Sequence, residues 1–129
     1  MKYPSADDPS RVGQWPALTK SGAGRFYDHV LEYRVWVHPE HGGPDEFDGE
    51  DYFYAFATHE EAAEFSSKTP GAEAPLVLVR QLEWIDEPKP GEFIHEKSER
   101  ITEWQPEWLA SSRRKPNSIE QFLREQRNV

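Results

Sequence analysis

The segment HVLEYRVWV, residues 29–37, decides the fold, because it has the strongest strand pattern in the chain. Its apolar residues alternate, as they do in a strand that buries one face. The face predicted to enter the core holds Leu31, Tyr33, Val35 and Val37. The opposite face is mixed, as in a strand that is partly covered or lines a cleft, and it holds Val30, Glu32, Arg34, Trp36 and His38.

Further helix and strand signals follow this segment. Thr58 and Glu61, three residues apart, form a capping box and predict a helix over residues 59–68, which ends before Pro70. Residues 52–57 have aromatic side chains on both faces, which predicts a central, buried strand. The remaining predictions are a strand at 76–84, one or two short strands at 92–104, a short helix at 106–110 and a helix at 118–127.

These elements predict an α+β fold: a small, largely antiparallel sheet with one central helix and a C-terminal amphipathic helix. Residues 1–25 are rich in proline and glycine and predict an irregular N-terminal arm, pinned to the body by Trp15 and Leu18. Residues 26–111 form the predicted single α+β domain, and residues 112–129 form a basic linker with the C-terminal helix. A chain of 129 residues suits one domain.

Composition excludes several classes of protein. The net charge of -9 argues against a general nucleic-acid binder, because such proteins need cations to displace phosphate counterions. The absence of cysteine excludes disulfides, thiol nucleophiles and cysteine-ligated metal centres, and it favours the reducing cytoplasm. No apolar run reaches the roughly 20 residues of a membrane span, and residues 1–10 lack the apolar core of a signal peptide. We therefore expect neither nucleic acid nor a membrane as a partner.

The predicted C-terminal helix carries one apolar stripe. Ile119, Phe122 and Leu123 are spaced at i, i+3 and i+4, so they share one face of the helix. A helix this short is marginal alone. The stripe therefore predicts docking on its own domain, on a second copy of the chain as a homo-oligomer, or on a protein partner.

A loop with two histidines is a candidate metal site. His38 and His41 lie three residues apart, and several carboxylates follow them in residues 45–51. Imidazole nitrogens and carboxylate oxygens are ligands for divalent metal ions. The alternative is an acidic, solvated loop, because proline and glycine around the histidines do not fix both rings on one face.

Two charged residues are candidates for a chemical site. Arg34 suits bidentate binding of a phosphate or carboxylate, and its structural alternative is an ion pair with Glu32 or stacking on Trp36. Glu107 is flanked by Trp104 and Trp108, so it is a candidate base or stabiliser of positive charge in a pocket. In its structural alternative, these rings belong to the core.

The glycine-rich segment SGAGR, residues 21–25, is a weaker candidate. It combines two glycines with a cation, as phosphate-binding loops do. It lacks a preceding strand and the glycine spacing of the known nucleotide-binding loops, so the sequence does not predict a phosphate loop here.

Four segments together resemble a small family of uncharacterised bacterial proteins that are often classed as GCN5-related acetyltransferases. They are LEYRVWVHPEHGG (31–43), DYFYAFATHEEAAEF (51–65), APLVLVRQLEWIDEP (74–88) and ERITEWQPEWL (99–109). The resemblance implies acetyl-CoA as a cofactor. It assigns no catalytic residues. The [RQ]xxGx[GA] loop with which acetyltransferases bind the acetyl-CoA pyrophosphate has no counterpart in this chain.

The order of three short motifs is also similar to that of mono-ADP-ribosyltransferases. Those domains have an arginine on an early strand, a Ser or Thr at a strand end before a helix, and a late [QE]xE motif. Arg34, Thr58 and Gln105-Pro106-Glu107 occur in that order. The resemblance implies NAD bound by Arg34 and Thr58, with Glu107 catalytic and Gln105 selecting the acceptor.

Three functions follow from these observations. The first is a non-catalytic binding or regulatory module that holds a protein partner through its acidic body or its C-terminal helix. The second is a small transferase that uses NAD or acetyl-CoA, with Arg34 and Glu107 in one pocket. The third is a divalent-metal-binding protein with its site at His38 and His41.

Overall fold

The first strand, β1 (His29–Val37), lies inside the main sheet and pairs with a neighbour on each side. The computed structural model describes residues 2–127. Residues 1, 128 and 129, which belong to the predicted arm and tail, lie outside the described residues. The other helices and strands are β2 (Tyr52–Phe56), α1 (His59–Lys68), β3 (Leu76–Gln81), β4 (Trp84–Lys89), β5 (Glu92–Glu96), β6 (Arg100–Trp104) and α2 (Ser118–Arg127).

The strands form two antiparallel sheets. The main sheet has the order β2-β1-β3-β6, and β4 pairs with β5 in a separate hairpin. The predicted α+β class is confirmed, with α1 as the central helix and α2 as the C-terminal helix. Both helices have their predicted bounds, and the predicted short helix after β6 is a 3-10 helix at Pro106–Leu109.

A bulge in β1 changes the face of one predicted core residue. The pairing of β1 with β3 shifts register between Val30 and Glu32, as happens where a strand carries an extra residue. Val30 therefore joins Tyr33 in the core cluster. Leu31, which we predicted on the core face, is buried elsewhere: it lines a small cavity together with Trp15 of the N-terminal arm.

The strand β2 is at an edge of the sheet, not at its centre. It pairs only with β1 among the described strands, so the prediction of a central strand at residues 52–57 was wrong. Aromatic residues occur on both of its faces because each face has its own aromatic neighbours. Phe53 packs against Trp36, with ring centroids 4.9 Å apart, whereas Tyr54 contacts Phe65 of α1 at 5.3 Å.

The predicted strand at 76–84 is two strands in two sheets. β3 ends at Gln81, and the backbone N–H of Leu82 donates to the Asp28 carboxylate at 2.7 Å. The chain then continues as β4 from Trp84 in the hairpin. The apolar pattern alone does not reveal this break, because apolar residues continue on both sides of it.

One face of the main sheet packs on α1 and forms the core. Thr58 caps α1 as predicted, because its hydroxyl accepts from the Glu61 N–H at 3.2 Å. The Glu61 carboxylate accepts from that hydroxyl at 2.9 Å and not from the Thr58 backbone N–H, so only half of the predicted capping box forms. The core cluster consists of Tyr27, Val30, Tyr33, Val35, Ala62, Val77, Val79, Trp104 and Leu109. Its two tyrosines and one tryptophan bury large areas per residue, which suits a small domain.

The N-terminal arm is a folded part of the domain that covers Arg34. The Arg34 guanidinium is fully buried and donates to the Pro16 carbonyl at 2.6 Å. The arm also binds Glu32, the ion-pair partner of Arg34: the Gly13 N–H donates to the Glu32 carboxylate at 2.8 Å. Leu18, which we predicted to pin the arm, is 92% exposed, so Trp15 and these polar contacts hold the arm instead.

The C-terminal segment also returns to the domain. Tyr27 donates its N–H to the Ser112 carbonyl at 3.0 Å and accepts from the Arg114 N–H at 2.8 Å. The Arg114 guanidinium donates to Asp28 at 2.8 Å and to Glu83 at 3.1 Å. The predicted linker is therefore fixed to the body, and it places α2 beside the β4–β5 hairpin.

Candidate functional site

A cavity of about 610 Å³, called the pocket below, opens between the glycine-rich segment, the hairpin, the end of β6 and α2. This volume falls within the range of small-molecule sites. Its lining residues are Ser21, Gly22, Ala23, Gly24, Arg25, Phe26, Trp84, Ile85, Asp86, Glu87, Arg100, Trp104, Trp108, Ala110, Ser112 and Phe122. Five of these side chains are aromatic and four are charged, so the pocket combines apolar surface with a few polar groups.

Gln81 and Arg100 hold the glycine-rich wall by its carbonyl groups. The buried Gln81 amide donates to the carbonyls of Ala23 and Phe26, both at 2.8 Å. Arg100 donates to the carbonyls of Ser21 and Gly22, at 2.9 and 3.1 Å. A wall held at four carbonyls is preorganised, so it loses little conformational entropy when a ligand binds.

The same two side chains are locked to each other. Arg100 Nε donates to the Gln81 side-chain carbonyl at 2.7 Å, and the Thr102 hydroxyl donates to that oxygen at 2.9 Å. The Arg100 guanidinium also lies over Trp84, 3.6 Å from the ring centroid. Burial lowers the pKa of Arg100, and the negative charge of Asp86 opposes that effect.

Gly24 is required where the wall meets this network. Its φ of +68° is a conformation that residues with a side chain rarely adopt. A Cβ at this position would lie 2.5 Å from both the Arg100 guanidinium and the Gln81 amide nitrogen. The absence of a side chain therefore allows the backbone to approach both groups.

Tryptophan and phenylalanine rings form the apolar part of the pocket. Trp104 and Trp108 meet edge to face with centroids 6.0 Å apart, and Phe122 reaches in from α2 to contact Phe26 at 6.4 Å. Trp108 is 43% exposed, whereas Trp104 is buried. The buried Trp104 indole N–H has no hydrogen-bond partner among the described residues.

The charged groups of the pocket differ in how they are paired. Arg25 forms a 3.4 Å ion pair with Glu87 and lies over the Phe122 ring, 4.6 Å from its centroid. Glu87 also accepts from the Gly91 N–H at 3.0 Å. Within the described part of the chain, Asp86 has no hydrogen-bond or ion-pair partner.

The structure does not bring Arg34 to this pocket. Its three guanidinium nitrogens are engaged by Glu32 at 2.7 Å, by Glu103 at 3.5 Å and by the carbonyls of residues 15–17. Its face lies 4.2 Å from the Phe53 centroid. A cofactor phosphate would therefore reach Arg34 only after the arm moved away.

The other residues of the ADP-ribosyltransferase-like pattern are also separate. Thr58 uses its hydroxyl in the cap of α1. Gln105 and Glu107 are exposed at the 3-10 helix after β6, and neither contacts Arg34. The flanking residues Trp104 and Trp108 line the pocket, whereas Glu107 does not.

His38 forms two ion pairs with carboxylates. Its Nδ1 lies 2.9 Å from Asp51 and its Nε2 lies 2.9 Å from Glu73. Hydrogen bonding to Glu73, and then to Asp51, raises the pKa of His38. The His41 ring is 5.4 Å away, and the described residues contain no group of three or more metal-ligating side chains placed to hold an ion. This arrangement favours a protonated imidazole over a metal ligand.

The apolar stripe of α2 is packed in cis. Ile119 is buried, and Phe122 and Leu123 are half-buried. Phe122 also contacts Phe93 of the hairpin, with centroids 5.1 Å apart. A partner that used this stripe would first have to displace α2 from the hairpin.

Sequence reasoning missed most of the pocket. Trp84 and Asp86 lie on β4, Arg100 begins β6 and the glycine-rich segment precedes β1, so no local pattern connects them. One available signal was Arg100, a cation at the start of a short apolar strand, which needs polar partners when it is half-buried. Another signal was the SGAGR segment, which lines the pocket. Arg100 binds the backbone carbonyls of this segment, so the segment is not arranged as a phosphate loop.

Models of known families, curated proteins and solved structures were compared with the chain, and none of them matches it. No helix within residues 2–127 has the length and apolar character needed to cross a membrane.

Proposed function

We propose that this protein is a non-catalytic binding module whose ligand occupies the pocket between the glycine-rich segment, the hairpin and α2. The observation that carries this proposal is the support behind the pocket wall. Gln81 and Arg100 hold four carbonyls of residues 21–26 and leave the exposed Trp108 ring free to contact a ligand. Rigid walls, apolar rings and a few polar groups are the general features of a ligand site.

The chemistry of the lining supports binding over catalysis. Among the described residues that line the pocket, none is histidine, lysine, tyrosine or cysteine. Histidine is the most frequent general base, so the serines in the lining have no histidine beside them to activate a hydroxyl, and the carboxylate of Glu87 is paired with Arg25. The two arginines are engaged by neighbouring groups, so they are suited to holding the structure or a ligand.

The wider setting of the module is part of the same proposal. The chain contains no cysteine, so a reducing compartment such as the cytoplasm suits it. The pocket is bordered by α2, so a segment of a protein partner that binds there would meet both the hairpin and the helix. A protein partner would therefore bind at the pocket and not at the apolar stripe of α2.

The proposal is tested by NMR on the isotope-labelled protein with a fragment panel of aromatic, cationic, anionic and neutral compounds, together with NAD and acetyl-CoA. We expect fragments to shift the indole signals of Trp84, Trp104 and Trp108 but not those of Trp15 and Trp36, which lie elsewhere. The variant Trp108→Ala should weaken binding, and the matched control Trp36→Phe should not.

Two results would contradict the proposal. If no fragment shifts the pocket signals, the cavity is a packing feature and not a site. If NAD or acetyl-CoA binds there and is turned over, the protein is a transferase, and the non-catalytic assignment fails.

A further inference from the structure

We propose that the ligand of the pocket is an organic ammonium ion, held between the exposed Trp108 ring and the carboxylate of Asp86. This inference rests on the proposed function and names the chemical class of its ligand. The ion belongs either to a small molecule or to a lysine-type side chain of a peptide, and both share the same recognition chemistry.

The aromatic rings of this pocket already bind cations within the protein. The Arg100 guanidinium lies 3.6 Å from the Trp84 centroid, and the Arg25 guanidinium lies 4.6 Å from that of Phe122. Both distances are within the range of cation–π attraction. Trp108 is 43% exposed at the same pocket and has no cation over its ring among the described residues, so its face is available to a ligand.

Asp86 is the carboxylate of the pocket that remains available to accept hydrogen bonds from such a ligand. It is half-buried on β4, beside the stacked Trp84. The neighbouring Glu87 is used by Arg25 and by the Gly91 N–H, whereas Asp86 has no hydrogen-bond or ion-pair partner within residues 2–127. The charge of Asp86 acts on Arg100 without a direct ion pair, so its oxygens are free to accept from a bound ammonium.

Charge favours a cation over an anion. The chain carries a net charge of -9, so its long-range field attracts cations and repels phosphates or carboxylates. The arginines in the pocket do not offer a free guanidinium: Arg100 is used by Ser21, Gly22 and Gln81, and Arg25 is paired with Glu87. An alkylated ammonium also has a low desolvation cost and suits aromatic surfaces.

The test compares choline with 3,3-dimethylbutan-1-ol, a neutral isostere of the same shape. We expect choline to shift the pocket tryptophan signals and the neutral alcohol to bind about tenfold more weakly, which corresponds to about 1.4 kcal/mol. A peptide with trimethyllysine, measured against the same peptide with norleucine, distinguishes a peptide ligand from a free small molecule.

Two variants separate a local contact from the general field. Asp86→Asn should weaken choline binding about tenfold, whereas Glu60→Gln, which removes an equal charge at an exposed position of α1, should leave it unchanged. Trp108→Leu should also weaken it, and thermal unfolding of each variant shows whether the protein still folds.

Several outcomes would overturn the inference. They are equal binding of choline and its isostere, unchanged binding by a folded Asp86→Asn variant, and preferential binding of inorganic phosphate or ATP at the glycine-rich segment. If neutral or anionic fragments occupy the pocket while choline does not, the binding module stands and only its ligand class is wrong. If nothing binds the pocket, both proposals fail.

Discussion

At the scale of single residues, Gly24 determines whether the pocket wall can form. Replacing it with alanine imposes a side chain at positive φ and brings the new Cβ against Arg100 and Gln81. We expect Gly24→Ala to lower the free energy of unfolding by about 1–3 kcal/mol, because both strain and collision act. Gly49→Ala is the matched control, since Gly49 has φ +81° but open space around it. Urea unfolding of the two variants checks this, and equal losses would show that the contact with Arg100 contributes nothing.

His38 is the residue at which stability should depend on pH near neutrality. The pKa of His38 is raised in the folded state from the unfolded value of 6.5. The folded protein therefore binds this proton more tightly than the unfolded chain does. The stabilisation is therefore fully present below about pH 6.5 and is lost as the pH rises through the higher folded pKa. His38→Gln should remove this dependence, whereas His41→Gln should keep it. Unfolding measured at several pH values, with NMR titration of His38, checks the prediction, and a slope unchanged in His38→Gln would contradict it.

At the scale of secondary structure, α2 is a removable wall of the pocket. Phe122 packs on Phe26 and Phe93, so Phe122→Ala should destabilise the docked helix by about 1–3 kcal/mol and widen the pocket. The exposed Glu120→Ala is the control. Hydrogen exchange of the α2 amides measures the effect, and unchanged protection would show that Phe122 does not hold the helix.

A truncation that tests this helix should begin after residue 115, because Ser112 and Arg114 bond to Tyr27 and belong to the body.

At the scale of the whole molecule, Arg34 joins the N-terminal arm to the sheet. Arg34→Lys keeps the charge but loses the planar group that reaches Glu32, Glu103 and the arm carbonyls together. We expect a loss of about 3 kcal/mol or more in the free energy of unfolding. We also expect early trypsin cleavage at Arg11 and Lys20, whereas Arg124→Lys on the exposed face of α2 should change neither. Mass spectrometry of limited digests checks this, and an arm that resists trypsin in Arg34→Lys would show that Trp15 suffices to hold it.

The parts of the fold that were predictable from the sequence are those fixed by local chemistry. Both helices begin and end as predicted because caps, prolines and an apolar stripe are encoded within a few residues, as with Thr58 and Glu61. The bulge at Leu31, the edge position of β2 and the break after Gln81 depend on which strands become neighbours, which no local pattern contains. The pocket was missed for the same reason, since five separate segments line it. Arg34 was recognised as important, but its burial under the arm depended on contacts 17 to 19 residues away.

The placement of the arm has a consequence for how the chain is made. Residues 13–17 leave the ribosome before β6 does, yet Arg34, which binds them, also approaches Glu103 in β6, and the sheet under the arm is complete only with that strand. At about 5–20 residues per second, several seconds separate the synthesis of these two parts. This segment is therefore translated early but acquires its native contacts late. During that interval it is accessible to proteases and chaperones.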